Sequence, residues 1–247
     1  TCDDADSVLR HVDLYCEDGR IRAIGPDLAV QADEVLDGSH LLCYPGLINT
    51  HHHLYQQFSR NLPEVQNLEL FPWLKALYEI WKNLDTEVVH ASSLTGMGEL
   101  MKNGCTTCFD HHYVFPAGCG DLLGAQFAAA DELGMRMVAS RGSMDLSVKD
   151  GGLPPDSVVQ SVDAILEDSA ALIERWHDPS YGSMRQITLA PCSPFSVSRE
   201  LLLQSAKLAR KYHVRLHTHL AETKDEERYT LDRYGLRPLA YLESLGW

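Results

Sequence analysis

The feature that most constrains the fold is a repeated alternation of short apolar runs with longer segments of helical spacing, from residue 41 onward. Strands separated by helices of this length form βα units and a parallel sheet. The strand-like runs are LLCYPGLINTHHH, CTTCFDHHYVF, MRMVASRG, RQITLAPCSPF and VRLHTHLAE. The predicted helices cover residues 86–103, 122–133, 155–176 and 198–211, and further helical segments lead to Gly246.

We count about five βα units in this pattern, whereas a closed parallel barrel needs eight. Two architectures therefore stay open, an open five-stranded sheet and an incomplete (β/α)8 barrel. Ahead of these units, apolar alternation around Asp18-Gly19 predicts a hairpin, and a second turn falls at Asp37-Gly38. We therefore predict that residues 1–43 are part of a small β domain and that residues 44–247 form the βα part.

Charge and composition exclude several classes of function. The formal net charge of −14 would repel phosphate, so we expect neither nucleic acid nor an anionic membrane as a partner. The sequence has no apolar run of about 18 residues, the minimum for a membrane-spanning helix, and no basic-then-apolar leader. Seven scattered cysteines are typical of reduced thiols. We therefore expect a cytoplasmic protein.

Histidines stand at the carboxyl ends of the predicted strands, which is the edge where βα proteins build their sites. His51 and His53 end the first strand, and His219 lies near the end of the fifth. Residues two apart on a strand face the same side, so His51 and His53 can reach one ion while His52 points away. We therefore assign His51, His53 and His219 as metal ligands.

Glu222 follows His219 by three residues, in the turn that leaves the fifth strand. An acid there can simply stabilise the start of the next helix. Beside a metal, it can instead take a proton from bound water and return it to a leaving group. We assign Glu222 this catalytic role as a proton shuttle, and we expect His111, His112 and His217 to be hydrogen-bonded core residues.

Two of these segments carry a family resemblance. PGLINTHHH resembles the first-strand signature of the amidohydrolase superfamily, and LHTHLAE resembles its fifth-strand H-x-x-E. The resemblance implies an α/β fold, a (β/α)8 TIM-like barrel of which this chain holds about five units, plus a small N-terminal β-sandwich portion. It also implies the mononuclear deaminase branch, with one zinc held by the three assigned histidines and an Asp from a later strand. Iron suits the same ligands. The family often forms homo-oligomers, so we expect one here.

Longer strings, such as NTHHHLYQQFSRNLP and LAPCSPFSVS, are similar to the 8-oxoguanine deaminases. They are also close to hydroxyatrazine ethylaminohydrolases and other triazine hydrolases. The likeness implies zinc-dependent hydrolytic deamination of an aminated purine-like heterocycle, with 8-oxoguanine giving urate and ammonia as the preferred reaction. Three alternatives stay open: a triazine amino- or chlorohydrolase, a guanine deaminase, and a non-catalytic scaffold protein of the same fold.

Four residues are candidate contacts for that heterocyclic substrate. Gln56 falls where guanine deaminases place an amide that binds the purine edge, and an amide can both donate and accept. Tyr113 and Cys119 follow the second strand, and Arg141 ends the third. Guanine deaminases carry an Arg-Phe pair after the fourth strand, whereas this chain has Ser193-Pro194-Phe195, which disfavours plain guanine as the substrate.

Overall fold

The computed structural model describes residues 1–247, which form two compact units, Thr1–Gly46 and Leu47–Trp247. The first unit contains one antiparallel hairpin of β1 (Asp13–Glu17) and β2 (Arg20–Gly25). Asp18 and Gly19 join the strands with φ of 51° and 68°. Two consecutive positive φ values belong to the turn type that matches the right-handed twist of a hairpin. This hairpin is the whole of the regular β structure in the first unit.

The second unit is built on a parallel sheet whose strands follow one another in chain order. The strands are β3 (Leu47–Asn49), β4 (Cys105–Asp110), β5 (Arg136–Ser143) and β6 (Arg185–Pro191). A doubly wound sheet reverses its strand order at a switch point, whereas a barrel adds each strand beside the one before it. The observed order β3-β4-β5-β6 is therefore that of a barrel wall.

Helices connect these strands, and most of them begin at a polar side chain that caps the first turn. Asp85, Asp121, Ser161, Ser198 and Thr223 each accept a hydrogen bond from a backbone N–H in the turn that follows. The helices are α1 (Leu70–Trp81), α2 (Thr86–Lys102), α3 (Leu122–Leu133), α4 (Val162–Trp176), α5 (Arg199–Tyr212), α6 (Lys224–Tyr234) and α7 (Pro238–Ser244). The helix predicted from residue 155 begins only at Val162, because Ser161 provides the cap there.

The fifth predicted strand differs from expectation. VRLHTHLAE forms an extended segment with a single parallel bridge, between Leu216 and Leu189, rather than a regular strand. Its backbone still lies beside β6, since the N–H groups of His217 and His219 donate to the carbonyls of Leu189 and Cys192. The segment thus continues the strand order but pairs along one edge only. The prediction of a fifth regular strand was therefore wrong, since the parallel sheet has four.

Helix α2 packs unusually closely on the 3₁₀ turn Leu54–Ser59 that follows the first histidines. Gly96 makes this approach possible, because a Cβ atom built there would lie 2.6 Å from Leu54 Cδ2 and 3.1 Å from Gln57 Nε2. Leu54 is fully buried, so its side chain has no free space to move into. The position of the residues after His53 therefore depends on a glycine in the neighbouring helix.

We expect Gly96→Ala to lower the free energy of unfolding by about 1–3 kcal/mol, because the added methyl group overpacks the core. Gly98→Ala is the matched control: it lies in the same helix, and its Cβ would meet nothing within 4 Å. Gly98→Ala should leave the free energy of unfolding unchanged or raise it by up to about 1 kcal/mol, because alanine favours a helix more than glycine does. Urea unfolding of both variants measures the difference, and equal stability of the two would contradict the packing argument.

Candidate metal centre

Ring nitrogens from distant parts of the chain meet at the carboxyl edge of the sheet. His53 Nε2 lies 3.2 Å from His51 Nε2 and 3.1 Å from His219 Nε2. Nitrogens bound to one tetrahedral zinc at 2.0–2.1 Å stand about 3.3–3.4 Å apart. The three nitrogens assigned from the sequence thus have close to the spacing of ligands to a single ion.

The hydrogen bonds at the far side of the rings fix the proton positions. His53 Nδ1 lies 2.7 Å from the carbonyl oxygen of His111, and His219 Nδ1 lies 2.8 Å from that of Cys192. A carbonyl only accepts, so both rings carry their proton on Nδ1 and present an unprotonated Nε2 to the centre. Two lone pairs 3.1 Å apart repel each other unless a cation lies between them. The donor set therefore fits a metal ion such as zinc.

Burial keeps these rings in the neutral form that binds metal. Desolvation lowers the pKa of His51, and it lowers the pKa of His53 and His111 well below the usual range. The pKa of both His217 and His219 falls to about 4, again mainly through burial. All five imidazoles are therefore neutral at pH 7.

Two further histidines belong to this cluster, although we expected them to be ordinary core residues. His111 is fully buried, and one of its ring nitrogens lies with those of His51 and His219 in a group within 4.8 Å of one another. Its Nδ1 has no hydrogen-bond partner. His217 Nε2 lies 3.0 Å from His51 Nδ1. In the sequence, both residues stand at the same edge of the sheet as His51 and His53, and this position could have indicated that they belong to the cluster.

The remaining histidines of these segments lie outside the group. His112 is a hydrogen-bonded core residue as expected, with Nε2 2.9 Å from the carbonyl of Val114. His52 contributes its carbonyl oxygen, which accepts the N–H of His111 at 2.7 Å. The middle histidine of the HHH run therefore links the first segment to β4 through its backbone.

Asp110, at the end of β4, is a site residue that the sequence reasoning missed. It is fully buried, and its two oxygens accept from Leu54 N at 2.5 Å and from Gln126 Nε2 at 2.6 Å. Burial raises its pKa to about 7. The His111 carbonyl fixes the side chain of His53, and the Asp110 carboxyl fixes the peptide that follows it. The end of β4 thus orients His53.

Glu222 lies in the turn between the His219 segment and α6. Burial is the main cause of the raised pKa of both Tyr113 and Cys192, and the Glu222 carboxylate raises each of them further. Desolvation, and secondly the Glu226 carboxylate, raise the pKa of Glu222 itself. A carboxyl group with raised proton affinity is better suited to exchanging protons near neutral pH.

Tyr113 adjoins the metal centre, and Gln56 lies one residue pair away from it. The buried Tyr113 ring lies 5.4 Å from the His53 ring and 5.6 Å from the His219 ring, measured between centroids. Gln56 Nε2 donates to the Tyr55 hydroxyl at 3.2 Å, and the Tyr55 ring lies 5.7 Å from that of Tyr113. Of the two residues chosen as substrate contacts, Tyr113 thus packs against two ligand rings, and Gln56 is linked to it through Tyr55.

Arg141 and Cys119 have different surroundings. The buried Arg141 guanidinium donates to Asp168 at 2.5 Å and to Gln160 at 2.7 Å, and it lies 4.0 Å above the Phe115 ring. Cys119 is half-buried, with its Sγ 3.6 Å from the carbonyl of Gly120. No hydrogen bond or ring contact joins either residue to the metal histidines, and the charge of Arg141 is balanced by Asp168 in helix α4.

Comparison with known proteins shows several relatives. The model of the amidohydrolase family matches residues 42–246. An 8-oxoguanine deaminase of Pseudomonas aeruginosa is 48% identical over 237 residues, covering 95% of this chain and 53% of the relative. A hydroxydechloroatrazine ethylaminohydrolase of Pseudomonas sp. (strain ADP) is 39% identical over 260 residues, covering 100% and 54%.

Solved structures agree with these matches. An atrazine chlorohydrolase from Arthrobacter aurescens, complexed with zinc, superposes with a TM-score of 0.89 at 30% identity, covering 100% of this chain and 56% of that chain. This chain therefore spans about half the length of the relatives it matches. The comparisons confirm the predicted fold class and the family resemblance. None of the helices combines the length and the hydrophobicity that spanning a bilayer requires.

We expect His53→Ala to remove tightly bound metal, because it deletes the nitrogen that lies between those of His51 and His219. His90→Ala is the control, since His90 pairs with Glu132 on the surface and its loss should leave metal content unchanged. Metal analysis of the purified variants after dialysis measures both. A His53→Ala protein that keeps one ion per chain would contradict the ligand assignment.

We also expect the metal-free protein to lose stability as the pH falls from about 7 to 4. The unfolded chain takes up protons on histidine near pH 6.5, whereas the folded state holds His217 and His219 neutral down to about pH 4. Acid therefore favours the unfolded state across this window. Urea unfolding at several pH values measures the slope. His219→Asn should show a shallower slope than the wild type, and an unchanged slope would contradict the neutral assignment of His219.

Proposed function

Because the chain belongs to the amidohydrolase family, we propose that it carries the metal-binding part of a zinc-dependent hydrolase that deaminates an aminated purine-like heterocycle. The observation that carries the proposal is the meeting of three Nε2 atoms, from His51, His53 and His219, with Glu222 three residues after His219 in the chain. We propose 8-oxoguanine as the substrate, with urate and ammonia as products. The 48% identity to a protein named 8-oxoguanine deaminase supports this choice.

The chemistry divides between the metal and the side chains around it. His51, His53 and His219 would hold the ion, and a zinc bound there would lower the pKa of a water molecule to about 7. Zinc is our choice over iron because the related atrazine chlorohydrolase structure contains zinc. The carbonyls of His111 and Cys192 keep the ligand rings in the orientation and tautomer that binding requires.

Glu222 has the central role in moving protons. In the overall reaction, water adds to the ring carbon that bears the amino group, and ammonia leaves to give a carbonyl. Glu222 takes one proton from the water, passes it to the adjacent ring nitrogen, and then assists protonation of the leaving amine. Burial raises the pKa of Tyr113 well above its usual range, so its hydroxyl stays neutral and can donate a hydrogen bond to the substrate. Gln56 completes the binding edge, because its amide both donates and accepts.

A triazine hydrolase is the second candidate, because a hydroxydechloroatrazine ethylaminohydrolase is 39% identical to this chain. The same centre would then expel an alkylamine or a halide instead of ammonia. We further propose that the protein is cytoplasmic, because its cysteines are free thiols. We also propose that it forms a homo-oligomer, as members of the family often do. Guanine stays the less favoured purine, since Ser193-Pro194-Phe195 lacks the arginine that guanine deaminases use.

A substrate panel separates these reactions. We expect the zinc-loaded complete protein to release ammonia fastest from 8-oxoguanine, when compared with guanine, isoguanine, cytosine and hydroxyatrazine at equal concentration. Ammonia and ethylamine are measured separately, so that ethylamine from hydroxyatrazine would identify the triazine hydrolase. If neither ammonia nor ethylamine is released from any compound, the deaminase proposal is contradicted. If the protein also contains no bound metal, that result would favour a scaffold protein.

We expect Glu222→Gln to bind metal normally and to lose turnover by about 10²–10⁴-fold, because an amide cannot carry the proton. Asp225→Asn is a nearby control, since this half-exposed acid pairs with Arg228 on the surface of α6. Steady-state ammonia release and metal analysis are made on the same preparations. A fully active Glu222→Gln protein would show that another group moves the proton.

A further inference from the structure

The turn that presents Glu222 has an unfavourable backbone conformation. Ala221, immediately before Glu222, has a φ of 56°. This left-handed region is disfavoured for any residue with a Cβ atom, and glycine is the residue that normally occupies it. Neighbouring contacts must therefore hold the turn between His219 and α6 in place.

Glu226, in the first turn of α6, provides those contacts. Its Oε1 accepts the N–H of Ala221 at 2.9 Å, and its Oε2 accepts the N–H of Glu222 at 2.8 Å. The side chain has no solvent-exposed surface, so both oxygens rely on protein donors. Hydrogen bonds to an ionised acceptor are stronger than those between neutral groups. The two bonds therefore stabilise the left-handed conformation of Ala221.

An ordinary helix cap is the simpler explanation. Thr223 does cap α6, and its hydroxyl accepts the N–H of Glu226 at 3.3 Å. In a capping box, the acid three residues after the cap bonds back to the N–H of the capping residue itself. Here the side-chain hydrogen bonds of Glu226 reach the two residues before the cap, Ala221 and Glu222. The carboxylate thus acts on the turn as well as on the helix.

We propose that Glu226 is a positioning residue for Glu222: by binding two consecutive amides, it holds Ala221 left-handed and so fixes the backbone that carries the Glu222 side chain. This inference rests on the proposed function, in which Glu222 moves the proton. Loss of the Glu226 carboxylate would let Ala221 relax to negative φ. The Glu222 carboxylate would then be displaced while the ligand histidines keep their own hydrogen bonds to His111 and Cys192.

The test begins with Glu226→Gln in the zinc-loaded complete protein. An amide keeps one acceptor but turns an NH₂ group toward the other backbone N–H, so one of the two bonds is lost. We expect kcat on the best heterocycle of the panel to fall about tenfold or more, with KM within about twofold and zinc content unchanged. Glu227→Gln is the matched control, because Glu227 is the next residue of α6 and pairs with the exposed Arg237. It should keep the wild-type kcat.

Rescue by glycine separates positioning from a general loss of structure. Ala221→Gly removes the Cβ that disfavours positive φ, so the turn needs less support from the carboxylate. The double variant Ala221→Gly with Glu226→Gln should regain about fivefold or more of the kcat lost in Glu226→Gln. A Glu226→Gln protein with normal kcat would overturn the proposal. So would a loss of kcat that the glycine does not restore.

Hydrogen exchange gives a readout that does not depend on catalysis. Peptides spanning residues 217–224 should exchange faster in Glu226→Gln than in the wild type and in Glu227→Gln, because the Ala221 and Glu222 amides lose protection. If the wild type releases no amine from any compound, the proposed function fails, yet this comparison still tests whether Glu226 holds the turn. Unchanged exchange of these peptides in Glu226→Gln would overturn the proposal in either case.

Discussion

The candidate site depends on backbone carbonyls at the ends of parallel strands. A carbonyl oxygen just past the end of a strand has two lone pairs, so it can accept a side-chain N–H even where it also accepts a backbone N–H, as that of Cys192 does from His219. His111 and Cys192 use theirs to accept the Nδ1 protons of His53 and His219. Each bond fixes a ring rotamer and a tautomer at once, and it leaves the opposite nitrogen as a lone pair. The sheet edge thus selects the metal-binding form of each imidazole without any further charged group.

The end of β4 is the part of the fold on which most of the site is assembled. Within a few residues, it supplies the Asp110 carboxyl for the peptide after His53, the His111 carbonyl for the ring, and the Tyr113 ring beside both. This segment is pressed against β5, where a Cβ at Gly142 would lie 2.1 Å from the His112 carbonyl oxygen. Close packing on one side and hydrogen bonds on the other leave the segment little freedom.

Much of this arrangement could be predicted from the sequence, because it follows from local patterns. Alternation of strand and helix predicted the βα units and the parallel sheet, and the family resemblance implied the barrel. The positions of His51, His53 and His219 at strand ends predicted ligands that the structure brings together. The parts that could not be predicted depend on partners far along the chain. Whether His111 and His217 face the centre depends on how neighbouring strands align. Likewise, Arg141 lies against Asp168 because helix α4 packs there. The segment after α5 is extended but irregular, since only β6 pairs with it.

The spacing of the ligands along the chain has a consequence for how the site is assembled. His53 and His219 are separated by 166 residues, so the pair forms only when the intervening strands and helices are in place. During synthesis, the first two imidazoles emerge long before the third, and two ligands alone retain a cation weakly. Ion capture should therefore be a late event that reports complete folding of this wall. Once captured, the ion acts as a crosslink that closes a long loop and thereby reduces the entropy of partly unfolded states.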